Sequence, residues 1–231
     1  MIIGVIPARG GSKRIPRKNI RQFSGRPIIE YSIQAAIGSR VFDEIIVSTD
    51  DDEIAAVAES CGASVPFRRP ADLSGDTVGS NRVMKHAIEW CGENLGDVTH
   101  TCMLTATAPF LTSDHISGGL QMLKDHGAQM VFSGTTFPSP IQRAFMISEG
   151  GWGKFVWPEN ETLRSQELEE RYFDAGMFYW GIPETFGQKN RLFPENLLVF
   201  PIERHLVHDI DTEEDWTRAE LIFRALNKSW S

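Results

Sequence analysis

Apolar residues occur in short runs that alternate with longer amphipathic stretches along most of the chain. Runs of four to six mainly apolar residues predict buried strands, and apolar residues spaced three and four apart predict helices. The predicted strands cover 2–6, 45–49, 100–105 and 130–133, and the predicted helices cover 27–37, 51–60, 80–91, 114–125 and 213–226. This alternation predicts a mostly parallel, twisted sheet flanked by helices, that is, an α/β fold.

The alternation stops between about residues 137 and 179, where short β-like pieces, many aromatic residues and a charged stretch at 159–171 follow one another. Strand-like runs resume at 177–180 and 198–202. A chain of 231 residues is long enough for one α/β domain with a full core. We therefore expect a single domain, 1–231, with an inserted arm at approximately 137–179.

Positive charge is concentrated at one place in an otherwise acidic chain. The net charge is −8, yet the first 29 residues contain seven Lys or Arg and no Asp or Glu. Most of these cations lie in the loop 7–19, which directly follows the first predicted strand and contains a Gly-Gly pair. The spacing matches neither the Walker nor the GxGxxG pattern.

A glycine-rich, cationic turn at the carboxyl end of a first strand is typical of phosphate binding. The backbone N–H groups of Gly10 to Ser12 can point at an anion, and Arg9 and Lys18 can form charge-assisted hydrogen bonds with phosphoryl oxygens. The alternative interpretation is a solvated basic turn. We predict a phosphate site here.

Near the other end of the chain, Asp209 and Asp211 are two positions apart. In an extended backbone their side chains point the same way, which suits a hard-oxygen site for Mg²⁺. The alternative is that one of them caps the helix that begins at Glu213. Thr212 is the predicted cap of that helix, and Ser113 that of the helix 114–125.

Bulk composition excludes several classes of partner. The acidic balance argues against duplex DNA or an anionic membrane, so we expect no nucleic-acid and no membrane partner. No run approaches 18 apolar residues, and the amino terminus does not read as a signal peptide. Three cysteines without paired spacing predict reduced thiols and a cytoplasmic setting.

Four segments together resemble the CMP–nonulosonate cytidylyltransferases, the relatives of CMP-sialic acid synthetase, over nearly the whole chain. They are the loop Ala8–Asn19, Ser48-Thr49-Asp50, Arg69-Pro70 with Leu73 and Asp76, and Asp209–Thr212. The resemblance implies a Rossmann-like α/β fold of the nucleotide-diphospho-sugar transferase type, with the inserted arm making a homodimer. It also implies an enzyme that transfers CMP from CTP to the 2-hydroxyl of a nonulosonic acid and releases pyrophosphate, with Mg²⁺ as cofactor.

The resemblance assigns roles to individual residues. The implied nucleotide-binding residues are Ala8, Arg9, Gly10, Gly11, Ser12, Asn19, Arg69 and Ser80. The implied catalytic residues are Arg9, Lys18, Asp209 and Asp211, of which the two aspartates hold the metal. The candidate sugar-binding residues are Thr105, Gln142, Arg143, Arg164, Phe173, Phe178 and Tyr179, with Arg143 or Arg164 facing the sugar carboxylate.

Departures from the sialate enzymes indicate the branch. Those enzymes carry a Gln-Pro-Thr-Ser-Pro-Leu-Arg segment where this chain has residues 105–111, and a sugar-facing Lys and Arg where it has Gln142 and Phe173. The stretches 139–145 and 172–180 resemble the pseudaminic acid branch instead. N-Acetylneuraminate and legionaminate remain alternative sugars, and a CTP-sensing module without catalysis is the alternative from another class.

Overall fold

The structure is a computed structural model that describes residues 1–187 and 193–228. Its strands are β1 (Ile2–Pro7), β2 (Gln22–Phe23), β3 (Arg26–Pro27), β4 (Glu44–Ser48), β5 (His100–Leu104), β6 (Met130–Thr136), β7 (Phe145–Ile147), β8 (Gly153–Phe155), β9 (Tyr172–Gly181) and β10 (Leu197–Pro201). Its helices are α1 (Ile28–Ser39), α2 (Asp52–Ser60), α3 (Ser80–Asn94), α4 (Ser113–His126), α5 (Pro183–Phe186) and α6 (Glu213–Lys228).

Six strands form the central sheet in the order β10-β6-β9-β5-β1-β4. Five of them share one direction, and only β9 runs antiparallel, to both β5 and β6. The reversal follows from the connection, because β9 is reached through the irregular segment 137–171 rather than through a crossover helix. The mostly parallel sheet flanked by helices is confirmed.

The strand β1 lies between β5 and β4 and is buried on both faces, which explains its unbroken apolar sequence. Ile3 and Val5 pack on one side with α3 residues such as Met84, whereas Ile6 packs on the other side with α1 residues such as Ile33. This period-two division places an apolar layer on each face of the sheet. The loop after β1 therefore leaves a rigid strand at the edge where ligands bind in such folds.

Two predicted helix ends differ from the structure. Helix α1 does not stop at Gly38 but continues to Ser39, followed by Arg40 in the left-handed region. Gly38 serves close packing instead, since a Cβ there would lie 2.5 Å from the Ser113 hydroxyl oxygen. The cap of α4 is Thr112 rather than Ser113, because the Thr112 side chain accepts the His115 N–H.

The predicted arm is shorter than the range 137–179. Its last eight residues belong to β9 in the central sheet, so the segment outside the sheet is 137–171. The two short strands β7 and β8 form a separate hairpin there. Within the described ranges, no helix is long and apolar enough to cross a membrane.

Candidate active site

A cleft of about 340 Å³ opens at the carboxyl ends of β1 and β5. It lies where open α/β sheets bind ligands. Its lining consists of Pro7, Arg9, Ser12, Lys13, Arg14, Ile15, Lys18, Asn19, Arg69, Val78, Ser80, Val83, Met103, Leu104, Thr105, Ala106, Thr107 and Asp211. Cations from the start of the chain thus share one cleft with a carboxylate from its far end, as the sequence predicts.

Lys18 and Asp211 are in direct contact across the cleft. The Lys18 ammonium donates to the Ile210 carbonyl at 2.8 Å and lies 3.3 Å from Asp211 Oδ1. Arg14, which sequence reasoning did not single out, pairs with Asp211 Oδ2 at 2.9 Å. Asn19 is buried and donates to the Arg9 carbonyl at 3.0 Å, so it supports the loop from within.

Not every predicted loop residue presents a group to the cleft. Ala8 is fully buried and donates its N–H to the Ser48 carbonyl. The Gly10 N–H donates to Asp50 Oδ1 and the Ser12 N–H to the Gly10 carbonyl. These three N–H groups are engaged within the protein, which corrects the expectation that the N–H groups of Gly10 and Ser12 point at phosphate.

Arg17 anchors the loop to the start of α2. Its backbone is left-handed, with φ of 56°, and its guanidinium contacts both Asp51 oxygens, at 2.6 and 2.9 Å, and also Glu53. Asp51 in turn caps α2 by accepting the Ile54 N–H. The Arg17 guanidinium lowers the pKa of the Asp51 carboxyl to about 2.

Gly10 is required by the same packing. A Cβ at this position would lie 2.7 Å from Asp51 Oδ2, which is too close for a non-bonded contact between a carbon and an oxygen. The glycine therefore lets the backbone of the loop lie against the Asp51 carboxylate that Arg17 holds.

Asp76, on the loop before α3, bridges two cations of the cleft. Its Oδ1 accepts from Arg9 and its Oδ2 pairs with Lys13. Bonds from Lys13 and then from Arg9 lower the pKa of Asp76. A carboxylate of the protein therefore pairs with Arg9, one of the two cations that the sequence assigns to phosphate.

Arg69 and Ser80 border the opposite side of the cleft. Arg69 is only 6 % exposed, and its guanidinium donates to the Ser48 hydroxyl at 3.1 Å and to the Ser48 carbonyl. Burial lowers the pKa of Arg69. Ser80 is the first residue of α3, so the positive end of that helix faces the cleft.

Asp209 and Asp211 lie at the junction of two clefts. Burial and the neighbouring Asp211 charge raise the pKa of Asp209. Two crowded carboxylates are hard-oxygen donors that suit Mg²⁺, which binds through one or two carboxylates plus phosphate oxygens and water. Among the described residues, no group of three or more His, Cys, Asp and Glu is placed to hold a metal ion, so a cation here would need phosphate oxygens and water besides the two aspartates.

A second cleft, of about 250 Å³, adjoins the first and shares Thr105 and Thr107 with it. Asp211 faces the first cleft, and Asp209 faces the second. The other residues of the second cleft are Ala108, Pro109, Phe110, Asp174, Ala175, Gly176, Met177, Tyr179, Leu206, His208 and Ile210.

Of the predicted sugar-binding residues, Thr105 and Tyr179 line the second cleft. Three others lie in the arm, away from both clefts: the Gln142 amide donates to the Glu169 carbonyl, Arg143 donates to the Leu163 carbonyl, and the Arg164 N–H donates to Glu167. Sequence reasoning missed Asp174, although a carboxylate close to Tyr179 on a strand beside the site was a usable signal.

The two predicted phenylalanines are placed differently. Phe173 packs against Phe137, with ring centroids 4.9 Å apart. Phe178 is fully buried and packs against Phe200. Its ring also lies so close to Gly119 that a Cβ added there would be 2.7 Å from the ring. Its ring belongs to the core and cannot touch a ligand, which corrects the expectation for Phe178.

Comparison with known proteins decides the family. A sequence model described as "Cytidylyltransferase" matches residues 3–141. This chain belongs to the cytidylyltransferase family. A pseudaminic acid cytidylyltransferase of Campylobacter jejuni is 40 % identical over 225 residues, covering 97 % of each chain. A CMP-N,N'-diacetyllegionaminic acid synthase of Legionella pneumophila is 33 % identical, covering 95 % of this chain and 94 % of that one.

Solved structures agree on the fold of this cytidylyltransferase. A CMP:2-keto-3-deoxy-manno-octonic acid synthetase, solved with CTP, superimposes with a TM-score of 0.72 over 97 % of this chain and 99 % of that one. The identity of 15 % shows a shared fold alone. The nucleotidyltransferase architecture implied by the sequence is thereby confirmed.

Proposed function

We propose that this cytidylyltransferase transfers CMP from CTP to the 2-hydroxyl of a nonulosonic acid, and that the sugar is pseudaminic acid. The observation that carries the proposal is the single cleft in which Arg9 and Lys18 meet Asp211. The 40 % identity to a pseudaminic acid cytidylyltransferase over nearly the full length of both chains supports the choice of sugar.

In the proposed reaction the oxygen of the sugar 2-hydroxyl attacks the α-phosphorus of CTP. The bond from that phosphorus to the β-phosphate oxygen breaks and pyrophosphate leaves, while the O–H bond of the sugar breaks and its proton passes to water. Arg9, Lys18 and the neighbouring Lys13 and Arg14 would stabilise the negative charge of the phosphates. Because positioning and charge stabilisation account for most of such a reaction, no covalent intermediate with the protein is needed.

Asp209 and Asp211 would hold a divalent cation, which neutralises charge on the α-phosphate and on the leaving pyrophosphate when it is bound. For Asp211 this requires the carboxylate to exchange its bonds to Arg14 and Lys18 for the cation. Both released side chains line the same cleft and would then be available to the triphosphate. Arg69 and Ser80 border the side that we assign to the nucleoside.

The sugar would lie in the second cleft, between Thr105, Tyr179 and Asp209. Gln142, Arg143 and Arg164 lie in the arm and could reach a sugar only from the arm of a second copy. We therefore propose a homodimer, supported by the exposed apolar side chains of the arm: Phe145, Met146, Ile147 and Trp152.

Three free cysteines agree with the proposed cytoplasmic setting. The function itself is tested by pyrophosphate release from CTP with pseudaminate, legionaminate and N-acetylneuraminate in parallel. Preferential turnover of pseudaminate supports the proposal, whereas preference for another sugar assigns the chain to that branch. CTP binding without pyrophosphate release for any of them would favour the CTP-sensing alternative.

The catalytic assignment is tested at Asp209. Asp209→Ala should abolish turnover at saturating Mg²⁺ and leave the circular dichroism spectrum unchanged, because the carboxylate holds the cation and not the fold. Glu203→Ala, an exposed carboxylate outside both clefts, is the matched control. Wild-type turnover by Asp209→Ala would refute the metal assignment.

A further inference from the structure

The strand β9 is irregular beside the second cleft. Phe132 of β6 pairs with Tyr179, and Gly134 of β6 pairs with Asp174. Between these two pairs the chain advances by two residues in β6 and by five residues in β9. Gly176 lies in this excess with φ of +67°, a conformation that strongly favours glycine. Such bulges redirect side chains and are common next to active sites.

The bulge is held by hydrogen bonds from both neighbouring strands. The fully buried Ser133 hydroxyl accepts the N–H groups of Met177 and Phe178, at 3.0 and 3.1 Å, and donates to the Phe178 carbonyl. On the other side the Thr105 hydroxyl donates to the Gly176 carbonyl. The backbone groups freed by the irregularity therefore have partners, and the bulge is a built feature.

The bulge brings the carboxylate of Asp174 to the hydroxyl of Tyr179. Oδ2 accepts the Tyr179 hydroxyl at 2.7 Å, and Oδ1 accepts the Gly176 N–H at 2.8 Å. Both side chains line the second cleft. Each carboxylate oxygen keeps a second lone-pair direction for a ligand donor.

The chemistry of this cleft disfavours an anionic group and favours one that donates hydrogen bonds. Asp174 supplies negative charge that the proposed cation on Asp209 and Asp211 does not take up, and no lysine or arginine occurs among the described residues of the lining. Apolar surface adjoins the carboxylates at Ala108, Phe110 and Leu206. An anionic substituent beside Asp174 would be repelled, so the carboxylate of the sugar must point away from Asp174.

We propose that Asp174 is a specificity-determining residue that accepts the N–H of an acylamino substituent of the sugar, whose methyl group then packs against the apolar wall at Phe110. An acylamino group combines one N–H donor with a small apolar end, which matches the two kinds of surface that meet here. The proposal rests on the proposed function and adds the contact by which the site recognises di-N-acylated sugars.

The experiment compares steady-state kinetics on pseudaminic acid and on its two derivatives in which one acetamido group is replaced by an acetoxy group, which keeps the methyl group but has no N–H to donate. The variants are Asp174→Ala and Asp174→Asn, the second of which keeps an oxygen for the Gly176 N–H. Glu170→Ala is the matched control, because Glu170 accepts the Tyr172 hydroxyl at 2.9 Å in a similar pair that lies outside the second cleft. Far-ultraviolet circular dichroism and the KM for CTP report on folding and on the nucleotide site.

We expect wild type to prefer pseudaminic acid at least tenfold, in kcat/KM, over one of the two derivatives. Asp174→Ala should lower kcat/KM for pseudaminic acid about tenfold to a hundredfold, the usual effect of losing a hydrogen bond to a charged group, and should abolish that preference. The KM for CTP should stay within about twofold of wild type. Glu170→Ala should keep both the rate and the preference.

Three results would overturn the proposal: equal losses on all three sugars in both Asp174 variants, a wild-type preference for an acetoxy derivative, or the same loss in Glu170→Ala. If Asp174→Ala does not fold, Asp174→Asn alone decides. Loss of the preference for pseudaminic acid in Asp174→Asn supports the carboxylate as the acceptor, and retention of that preference refutes it. Failure of the proposed function is distinguishable, since wild type would then release no pyrophosphate with any of the sugars.

Discussion

Arg17 illustrates how one side chain shapes a binding loop without lining it. Arg17 is absent from the lining of the first cleft. Its left-handed backbone and its hydrogen bonds to Asp51 nevertheless hold the loop 7–19 against α2. A non-glycine residue in that conformation persists only where surrounding contacts enforce it. The loop is therefore held in one conformation by contacts within the protein.

Removing the Arg17 side chain should destabilise the protein in a pH-dependent way. The pKa of Asp51 is lowered from its ordinary value to about 2, so the stabilisation is complete above about pH 4 and is lost as pH falls toward 2. Arg17→Ala should cost about 1 kcal/mol at neutral pH after allowance for solvent screening. Urea unfolding from pH 6 down to pH 3 measures the difference.

The matched control for Arg17→Ala is Arg26→Ala, an exposed residue whose ion pair with Glu30 is long, at 3.4 Å. This control should change the unfolding free energy little at any pH. A difference between Arg17→Ala and wild type that stays constant through pH 3 would contradict the assigned role of the Asp51 pair.

Asp76 should compete with the nucleotide. It pairs with Arg9 and Lys13, which the triphosphate also needs, and both pairs are open to solvent. Asp76→Asn should therefore lower the Kd for CTP roughly twofold to fivefold, the range expected for exposed ion pairs. Isothermal titration measures this, with Asp72→Asn, which pairs with Arg82 outside the cleft, as control. Weaker CTP binding by Asp76→Asn would show that Asp76 supports the nucleotide.

At the scale of single residues, the sequence could predict which side chains line the first cleft where the residue type itself suits phosphate or cation binding. Arg9, Lys18, Arg69 and Asp211 follow from cations after a first strand and from a resemblance in motif. Arg17 could not be distinguished from its neighbouring cations, because its role depends on a partner 34 residues away. Phe178 was assigned wrongly because the face of a strand residue cannot be read through a bulge.

Among the elements, β9 has two roles: it pairs within the central sheet, and it lines the second cleft. Its regular part pairs with β5 and β6 on both sides, while its irregular part supplies four residues of the second cleft, 174–177. The hydroxyl of Ser133 stabilises the boundary between these two parts, because it accepts the N–H groups of Met177 and Phe178.

Ser133→Ala should therefore destabilise the protein by about 2 kcal/mol, since it leaves two buried N–H groups unsatisfied. It should also lower kcat/KM for the sugar more than for CTP, because the bulge beside the second cleft loses its support. Ser60→Ala, which removes an exposed hydroxyl that donates to Val57, should do neither. Equal stability of the two variants in urea unfolding would contradict the role given to Ser133.

The alternation of apolar runs predicted the parallel part of the sheet and five of the helices. It could not place β9 between β5 and β6, since that position depends on the return path of an irregular segment of 35 residues. Periodicity reports which faces of an element are buried and says nothing about strand order. For the same reason the start of β9 was assigned to the arm.

At the scale of the whole molecule, most of the exposed large apolar side chains among the described residues lie in the arm. Ile147 and Trp152 are 78 % and 77 % exposed, and Phe145 and Met146 lie beside them. Apolar residues grouped in this way mark interaction surfaces in otherwise well-packed proteins. The arm also carries Arg143 and Arg164, which in the proposed homodimer would be the residues available to the sugar of the other copy.

Ile147→Lys should convert the proposed homodimer into a monomer, because a charge would be buried in the interface. Light scattering after size exclusion measures the mass, and pyrophosphate release should fall with it if the arm of the second copy completes the sugar site. Leu221→Lys, at an exposed apolar position on α6, should leave both unchanged. A monomeric wild type would refute the homodimer.

The contact between Lys18 and Asp211 joins positions 193 residues apart. During synthesis on the ribosome, the cationic loop emerges early and must wait for nearly the whole chain before its acidic partner exists. A chain truncated before residue 211 would therefore leave Arg14 and Lys18 without their carboxylate partner, while the other cations of the loop keep theirs.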